Sequence, residues 1–514
     1  MHDQLVATIV FFIAGLATLV CLVDAKVWNK QRPTLARFFL VDGKLELPGY
    51  ISAIVAANFS IGNFIVFIAV WGYSYGWAGL IAFFANLSLN AVGYFIFMPH
   101  FKTYIEDRTN SGTIHEFIAD IFSKHDSITA RYIRVSASVV TVVCLLLGIV
   151  FEISLAVDLL AVDPVGKFKL YCSFAIMIAL FSAYGGFRTL IASDIANSVV
   201  MIAAIAATFG LIWTYSPSDG PSVFPGGITL ASFQSLGWPA MLSIAVIGTG
   251  WMLVAMDQWQ RSCASRNASV SFKGVVVCSA VLAVCAVCYA MWGGFAAHIL
   301  PNIISAEAAK HLSGAANPLL DMQYLPANGL VARIAIGLAV SGLIFAAIST
   351  ANTFLNVCAH SLTSDVLLGS AIGKSISEIS NERSIELARF ARILIIGLVA
   401  FVIIVYAICV SFRVLTDPLS FFYITYSTQF ALLSPIAMCF LPKVKRPSPL
   451  FAIASIWIGF LVSFAVGISA WVAMQAGSKG TMGLAPGDWL TLAPVAAVVI
   501  GALPLLAGVR YRAK

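Results

Sequence analysis

The sequence predicts an all-α polytopic membrane protein with about 13 transmembrane helices. Of its 514 residues, 60% are hydrophobic and only 10% are charged, whereas about 25% of the residues of a soluble domain are charged. Its mean hydropathy is +0.94. The apolar residues form long unbroken runs and not segments of alternating polarity, which favours helices over a membrane β-barrel. A water-soluble globular protein is excluded.

Thirteen apolar runs are candidate spans, since a helix needs about 20 apolar residues to cross the hydrocarbon core of a bilayer. They lie near residues 5–23, 48–72, 75–98, 133–157, 169–186, 192–214, 237–256, 273–297, 329–365, 389–411, 418–441, 449–474 and 488–508.

The basic residues predict the orientation of the chain. The first span has no Lys or Arg before it and Lys26 after it, so it reads as a retained helix with an outside N-terminus and not as a cleaved signal peptide. Alternating the loops from there places 24 of the 30 Lys and Arg residues inside. The six outside are Lys167, Lys169, Lys310, Arg333, Arg413 and Lys479. This bias predicts a multi-pass protein of the plasma membrane, such as a bacterial inner membrane, with its C-terminus inside.

The distribution of Lys and Arg also indicates which binding partners to expect. Lys and Arg lie in short loops between spans and form no basic domain, so no nucleic acid is expected to bind despite the net charge of +7.

Nearly all of the ten cysteines lie inside apolar runs, where a thiol acts as a small apolar side chain, so no disulfides are expected. The lipid bilayer is the expected environment. The oligomeric state is open, and a monomer suffices.

Two spans carry helix-weakening residues at mid-depth. The run Asn58-Phe59-Ser60-Ile61-Gly62-Asn63 interrupts the second span, and Gly248-Thr249-Gly250 interrupts the seventh, five spans later. Backbone groups freed there are tolerated only where they line a polar site or are buried in protein. Interruptions at matching positions of two five-helix units predict the 5+5 inverted repeat of a secondary transporter. The alternative is that Gly and Thr only allow close helix packing.

Four motifs occur in order along these spans. They are Ala56-Ala57-Asn58-Phe59-Ser60 with Gly72-Tyr73-Ser74-Tyr75-Gly76, Gly185-Gly186-Phe187-Arg188 with Ser193-Asp194, Gln260-Arg261-Ser262-Cys263-Ala264-Ser265-Arg266-Asn267, and Ala346-Ala347-Ile348-Ser349-Thr350-Ala351-Asn352-Thr353 with Ser364-Asp365. In these motifs the chain resembles the sodium:solute symporter family, which contains sodium-coupled carriers of sugars, proline, sialic acid, vitamins and monocarboxylates.

The resemblance implies the leucine-transporter fold. A leading helix and cytoplasmic loop would occupy residues 1–47, two five-helix repeats 48–214 and 237–441, and two trailing helices with a cytoplasmic tail 449–514. It further implies a symporter that imports a small organic solute by alternating access, with Na+ as the coupling ion. No chemistry is catalysed, so the protein is not expected to be an enzyme.

The resemblance also assigns a sodium site. Its ligands would be the backbone carbonyls of Ala56, Phe59 and Ala346 and the hydroxyls of Ser349 and Thr350. Carbonyls freed by helix unwinding and hydroxyls are oxygen ligands of the kind that a hard cation accepts at mid-membrane. Positions 346, 349 and 350 share one helix face because they are spaced i, i+3 and i+4. Taken alone, the Ser-Thr pair also fits packing or hydrogen bonding to its own helix.

Some members of the family bind a second sodium ion nearer the cytoplasm. The matching positions here are Asp194, Ser349, Asn352 and Thr353. Asn352 stands where the family has Ser, although an amide oxygen is still a ligand. Asp194 has the alternative role of an N-cap at the start of a helix, beside Ser193.

Polar residues near mid-depth are the candidates for solute binding: Gly62, Asn63, Asn86, Glu152, Thr249, Tyr426 and Gln429. The sugar carriers of the family have Glu-Gln directly after the first helix break, where this chain has Gly62-Asn63. A sugar is therefore disfavoured as the substrate. Asn86 has the alternative role of a hydrogen bond between helices.

Glu152 is an ionisable residue within an otherwise apolar span, where it is costly unless it faces a cavity or a partner. Three roles stay open: a partner for an amino group on the solute, a structural partner within the protein, and a group that binds a proton. The first role would make an amino-bearing solute the substrate.

The alternative function is a transporter-like membrane sensor or receptor without net transport. The absence of a cytoplasmic domain after Lys514 disfavours a sensor. A channel is disfavoured because the polar residues form localised sites and not a continuous lining.

Overall fold

The structure is a computed structural model that describes residues 33–106, 112–123, 127–160, 163–216, 222–225, 227–326, 329–372, 374, 376–412, 414–441, 444–478 and 483–511. The described part is almost entirely helical. Eight of its helices are long and apolar enough to cross a membrane, and three shorter apolar helices accompany them. The first predicted span, 5–23, lies outside the described residues, so the total of thirteen stays a prediction.

The remaining twelve predicted spans coincide with described helical segments. The first part of the chain forms α1 (Leu35–Leu40), α2 (Leu47–Asn58), α3 (Val66–Tyr75), α4 (Trp77–Glu106), α5 (Ile114–Phe122), α6 (Ile128–Asp158) and α7 (Pro164–Tyr215). The middle forms α8 (Leu230–Gln234), α9 (Gly237–Val254), α10 (Met256–Ala264), α11 (Ala268–His298), α12 (Leu300–Ile303), α13 (Ala306–Ala309), α14 (Leu330–Ser361) and α15 (Asn381–Ser411). The last part forms α16 (Pro418–Tyr426), α17 (Leu433–Ala437), α18 (Pro449–Gln475), α19 (Pro486–Thr491) and α20 (Ala493–Gly508).

Short turns and two strands complete the described chain. Residues Ile61–Ile65 and Leu362–Ile372 are π-helical. The 3-10 turns are Val41–Gly43, Gly314–Ala316, Pro318–Tyr324, Ile376–Glu378, Val414–Thr416, Ser427–Leu432 and Met438–Phe440. Strand β1 (Val444–Lys445) pairs antiparallel with β2 (Arg510–Tyr511), so the chain after α20 returns to the segment before α18.

Side-chain caps mark where several membrane helices begin. The hydroxyl of Ser127 accepts a hydrogen bond from the backbone N–H of Ala130 at 3.1 Å at the start of α6. The Asn267 side chain accepts one from Val270 N at 3.0 Å at the start of α11. Each cap satisfies an N–H group that the first turn of a helix leaves without a partner. Apolar runs therefore decide where a span lies, and polar caps decide where its helix begins.

The helix α7 contains two predicted spans, 169–186 and 192–214. Its 52 residues would be about 78 Å long as one straight helix, more than twice the thickness of the hydrocarbon core. The chain instead changes direction at Gly186, which has φ 62° and ψ −152°. A Cβ atom at Gly186 would lie 2.6 Å from the carbonyl oxygen of Phe38. Only glycine fits both this backbone conformation and this close approach.

The helix α14 lies at the centre of the bundle. It is buried along most of its length from Ile336 to Ser361, and it packs against α6, α7 and α2. By contrast, α15 exposes large apolar side chains such as Ile393, Phe401 and Ile404. An exposed apolar surface of this kind is suited to lipid. The central position of α14 explains why polar residues on it meet partners from several helices.

Candidate functional site

The second predicted span is broken where the sequence predicts it. The helix α2 ends at Asn58, and Phe59 leaves helical geometry with φ −81° and ψ 59°. A π-helical turn follows, in which Ser60 O accepts hydrogen bonds from Phe64 N at 3.2 Å and Ile65 N at 3.0 Å. The last carbonyls of α2 and the first N–H groups of the turn are thus without partners inside their own helices.

Glu152 on α6 occupies this first break. It is fully buried, and its carboxylate accepts hydrogen bonds from Ile61 N and Gly62 N, each at 3.1 Å, and from the Ser60 hydroxyl. A Cβ atom at Gly62 would lie 2.8 Å from Glu152 Oε1, so glycine allows this approach. A carboxylate at the N-terminal end of a helical segment is favoured by its free N–H groups and dipole. These contacts favour the structural role among the three predicted for Glu152.

The seventh predicted span is also broken, but later than the sequence indicates. The helix α9 runs without interruption through Gly248, Thr249 and Gly250 to Val254 and breaks at Ala255, which has φ −74° and ψ 102°. The prediction of a break at 248–250 is therefore wrong.

The small residues at 248–250 allow close helix packing instead. A Cβ atom at Gly248 would lie 2.8 Å from the Cβ of Leu89 on α4, and one at Gly250 would lie 2.7 Å from Leu433 on α17. The Thr249 hydroxyl donates to Ala245 O of its own helix at 2.6 Å. Thr249 is not among the described residues that line the cavity between the two breaks, and the prediction that it binds solute has no support from its contacts.

The second break is stabilised by side chains that reach its free carbonyls. Gln429 Nε2 donates to Val254 O at 3.1 Å, and Trp259 Nε1 donates to Leu253 O at 2.9 Å. Gln429 is one of the predicted solute ligands, but in the structure its amide N–H group is used in the hydrogen bond to the last turn of α9. The two polar residues Glu152 and Gln429 thus satisfy opposite needs, one binding free N–H groups and the other a free carbonyl.

The predicted sodium ligands of α14 are buried on the helix that packs against the first break. Ala346, Ser349 and Thr350 are all buried, and the helix packs against α2 and the π-helical turn Ile61–Ile65. Ser349 Oγ donates to Asp194 Oδ1 at 2.6 Å. The Thr350 hydroxyl oxygen has no hydrogen-bond partner among the described residues. Because Ser349 gives its proton to a carboxylate, its oxygen lone pairs are available for a cation, as are those of Thr350.

Asp194 lies in the interior of the second arm of α7, eight residues after the change of direction at Gly186. It is therefore not an N-cap, and that alternative is wrong. Its Oδ2 atom has no hydrogen-bond partner among the described residues and lies 4.0 Å from an amino nitrogen of Arg261. The carboxylate thus joins Ser349 on one side to a buried guanidinium on the other.

Arg261 on α10 lies among the residues predicted to bind a second sodium ion. It is fully buried and donates to Thr353 Oγ1 at 2.9 Å and to Ala53 O at 3.0 Å. The side-chain oxygen of Asn352, another predicted ligand, accepts a hydrogen bond from the Ser182 hydroxyl. Arg261 belongs to one of the four sequence motifs, but that motif was assigned to a loop. The contacts of Arg261 with Asp194 and Thr353 were therefore not predicted.

A cavity lies between the two breaks and encloses about 680 Å³ of empty space, part of it open to the surroundings. Its described lining consists of Ala57, Asn58, Phe64, Phe67, Phe83, Asn86, Leu87, Asn90, Ile247, Trp251, Asp257, Gln258, Leu282, Phe354 and Phe422. Of the predicted solute ligands, Asn86 lines this cavity. Tyr426 is not among the described lining residues, and its ring packs against that of Phe422, with centroids 5.3 Å apart. The side chain of Asn63 is not among those that the structure describes.

Asp257 and Gln258 are functional candidates that the sequence reasoning missed. Both follow the second break directly and are buried. Asp257 Oδ2 accepts hydrogen bonds from Gln258 Nε2 at 2.6 Å and from Arg261 at 3.2 Å. In the sequence, Asp257 and Gln258 belong to a cluster of polar residues that directly follows an apolar run. Such a cluster has the same appearance as the end of a membrane span. The correct position of the break turns the same cluster into part of a cavity wall.

A separate cluster of buried ionisable residues surrounds Asp365. This carboxylate accepts hydrogen bonds from Thr113 at 2.8 Å and Arg134 at 3.2 Å and lies 2.7 Å from His115 Nδ1. Arg134 also lies 3.5 Å from Glu116. The cluster joins α5 and α6 to the π-helical segment after α14. The Ser364-Asp365 motif thus contributes to packing at this end of the bundle.

Comparisons with known proteins find similar solved structures but no similar sequence. No family model and no curated protein matches the sequence. Among solved structures, the chain is similar to a Na+-coupled sialic acid symporter in a substrate-bound outward-open state, with a TM-score of 0.67 and 15% identity over 99% of both chains. It also matches MhsT in complex with L-phenylalanine, with a TM-score of 0.44 and 15% identity over 90% of this chain and 98% of that one. The chain therefore has the fold of the sialic acid symporter, which confirms the all-α membrane fold that the sequence predicts.

Proposed function

We propose that the protein is a sodium-coupled symporter that imports a small organic solute by alternating access. The observation that carries this proposal is the pair of buried hydroxyls, Ser349 and Thr350, on the helix α14 that packs against the first break. There the Thr350 hydroxyl has no partner among the described residues, and Ser349 directs its proton to Asp194. A buried hydroxyl without a partner is costly in a packed protein, and a cation held by hydroxyls and freed carbonyls removes that cost.

The position of α2 supplies the coupling between ion and solute. Its last turn provides the proposed carbonyl ligands, Ala56 and Phe59, while Ala57 and Asn58 of the same turn line the cavity. An ion that joins this turn to α14 therefore also orders one wall of the cavity. A solute then binds more tightly when sodium is present, and by thermodynamic reciprocity sodium binds more tightly when the solute is present.

The test is the thermal stability of the purified full-length protein in lipid nanodiscs. Sodium chloride should raise the unfolding temperature above that measured in potassium chloride at equal concentration, because a ligand that binds only the folded state stabilises it. At ten times the dissociation constant the gain is about 1.4 kcal/mol. Equal unfolding temperatures in the two salts at all concentrations would contradict sodium coupling.

We further propose that one sodium ion is coupled, because Arg261 already supplies a positive charge next to Asp194 and Thr353. A second cation there would face repulsion from a buried guanidinium. Sodium-dependent stabilisation of the wild-type protein should accordingly follow a Hill coefficient near one. A coefficient clearly above one, approaching two, would place a second ion at the Asp194 site despite Arg261.

We also propose the predicted orientation, with the N-terminus outside and the C-terminus inside a bacterial inner membrane, together with repeats over 48–214 and 237–441. The support is the distribution of Lys and Arg among the loops. Reporter fusions after Arg37 and at Lys514 should both report the cytoplasm. A periplasmic signal at Lys514 would mean that the number of spans is even and that the proposed arrangement of repeats is incorrect.

A further inference from the structure

The cavity between the two breaks has almost no net charge to offer a solute. Asp257 is the only ionisable residue among the described residues that line it. Its carboxylate is already bound by Arg261 at 3.2 Å and by Gln258 Nε2 at 2.6 Å. Glu152, the other acidic candidate, accepts its hydrogen bonds from the first break. Because both carboxylates are held by the protein, the site is suited to a neutral solute and not to a cation.

The walls of the cavity are largely aromatic. Six rings line it, from Phe64, Phe67, Phe83, Trp251, Phe354 and Phe422. Several of them touch one another, with centroids 5.0 Å apart for Phe64 and Phe83 and 5.3 Å apart for Phe67 and Phe422. Aromatic rings bury flat apolar surface and offer few hydrogen bonds. A solute with a hydroxyl on most of its atoms would leave many of them without partners, whereas a flat ring would not.

Apart from Asp257, the polar side chains of the cavity are neutral amides, and two of them have an acceptor oxygen without a partner among the described residues. Gln258 Nε2 donates to Asp257, which fixes the other end of the amide, Oε1, as the acceptor. Gln258 Oε1 is buried and has no hydrogen-bond partner among the described residues, and the same holds for Asn90 Oδ1. Asn58 and Asn86 add further amides to the lining. No described residue donates a hydrogen bond to Gln258 Oε1. An N–H group on the solute would supply that hydrogen bond.

From these three observations we infer the substrate class: a neutral planar ring that carries an N–H group next to a carbonyl, as in a cyclic amide, imide or pyrimidine base. The N–H group donates to Gln258, the adjacent carbonyl accepts from a neighbouring side-chain amide, and the ring faces pack against the aromatic walls. Pairing of adjacent donor and acceptor with amides gives the site its specificity. This inference rests on the proposed transport function and names the solute for the same cavity.

The test compares ring compounds that carry this N–H group with one that lacks it. Uracil, hypoxanthine and succinimide are the probes, and 1,3-dimethyluracil is the matched control, since it keeps the uracil ring but has no N–H group. The full-length protein in nanodiscs should be stabilised by at least one of the three probes in sodium chloride and much less in potassium chloride. The dimethylated compound should not stabilise it.

A variant tests the proposed contact. Gln258→Met keeps the approximate shape and removes the acceptor, and it should weaken probe binding at least tenfold. Gln234→Met, at an exposed position of α8, should leave binding unchanged. If Gln258→Met does not fold, the comparison of uracil with its dimethylated form on the wild-type protein still decides the question.

The outcomes separate this inference from the proposed function. If sodium stabilises the protein but none of the three probes does, or if 1,3-dimethyluracil binds as well as uracil, the substrate class is wrong and sodium coupling is unaffected. Stabilisation by phenethylamine instead of the neutral rings would identify Asp257 as the partner of an ammonium group and would overturn the inference. If sodium itself has no effect, the proposed function is contradicted, and the inference that rests on it is overturned too.

Discussion

Replacing both Ser349 and Thr350 by alanine should raise the sodium concentration needed for half-maximal stabilisation between tenfold and a hundredfold, which corresponds to about 1.4 to 2.8 kcal/mol of binding free energy. Ser349 Oγ is oriented by its hydrogen bond to Asp194 at 2.6 Å, and Thr350 Oγ1 is buried without a partner among the described residues. Two of the five proposed oxygen ligands are lost in this variant. The measurement is a sodium titration of unfolding temperature.

The control for this variant lies on the same helix. Ser341 is also buried on α14, and its hydroxyl donates to Gly337 O of its own helix at 2.6 Å. Ser341→Ala therefore removes a buried serine hydroxyl of α14 that only bonds to its own backbone, and sodium affinity should not change. If the double alanine variant keeps the sodium affinity of the wild type, the pair is a packing feature and the ion binds elsewhere.

The second prediction with a large effect concerns Glu152→Gln. The amide keeps the shape of the side chain but replaces one acceptor oxygen by an NH2 group, which would face either the N–H group of Ile61 or the N–H group of Gly62 together with the Ser60 hydroxyl. Loss of a charge-assisted hydrogen bond at a buried site costs about 1.5 to 3 kcal/mol. We expect a corresponding loss of stability, together with weaker sodium binding measured without solute, because the same break positions the carbonyls of Ala56 and Phe59.

The matched control is Glu307→Gln. Glu307 is exposed in α13, where its carboxylate pairs with Lys310 at 3.0 Å on the surface, and exposed pairs of this kind contribute little to stability. One outcome would contradict the structural role of Glu152. If Glu152→Gln leaves stability and sodium affinity unchanged and weakens only the binding of amino-bearing solutes, the carboxylate is a solute ligand.

The sequence determined the class of fold and the helix face that carries the proposed ion site. Apolar runs report membrane spans because transfer of each residue into lipid depends mainly on its own side chain. Helical spacing likewise places residues 346, 349 and 350 on one face without knowledge of the rest of the protein. Polar residues at mid-depth correctly located the first break at Asn58–Gly62.

Only the tertiary structure decided which polar residues bind the protein itself and which face the cavity. The predicted solute ligands Glu152 and Gln429 donate or accept hydrogen bonds at the two broken helices. Asp257 and Gln258, which the sequence reasoning missed, line the cavity because the second break is at Ala255 and not at Gly248–Gly250. A break needs a partner for each backbone group that it frees, and those partners come from helices far away in the sequence. Local patterns contain no information about such partners, so they predict polar residues but not what each one binds.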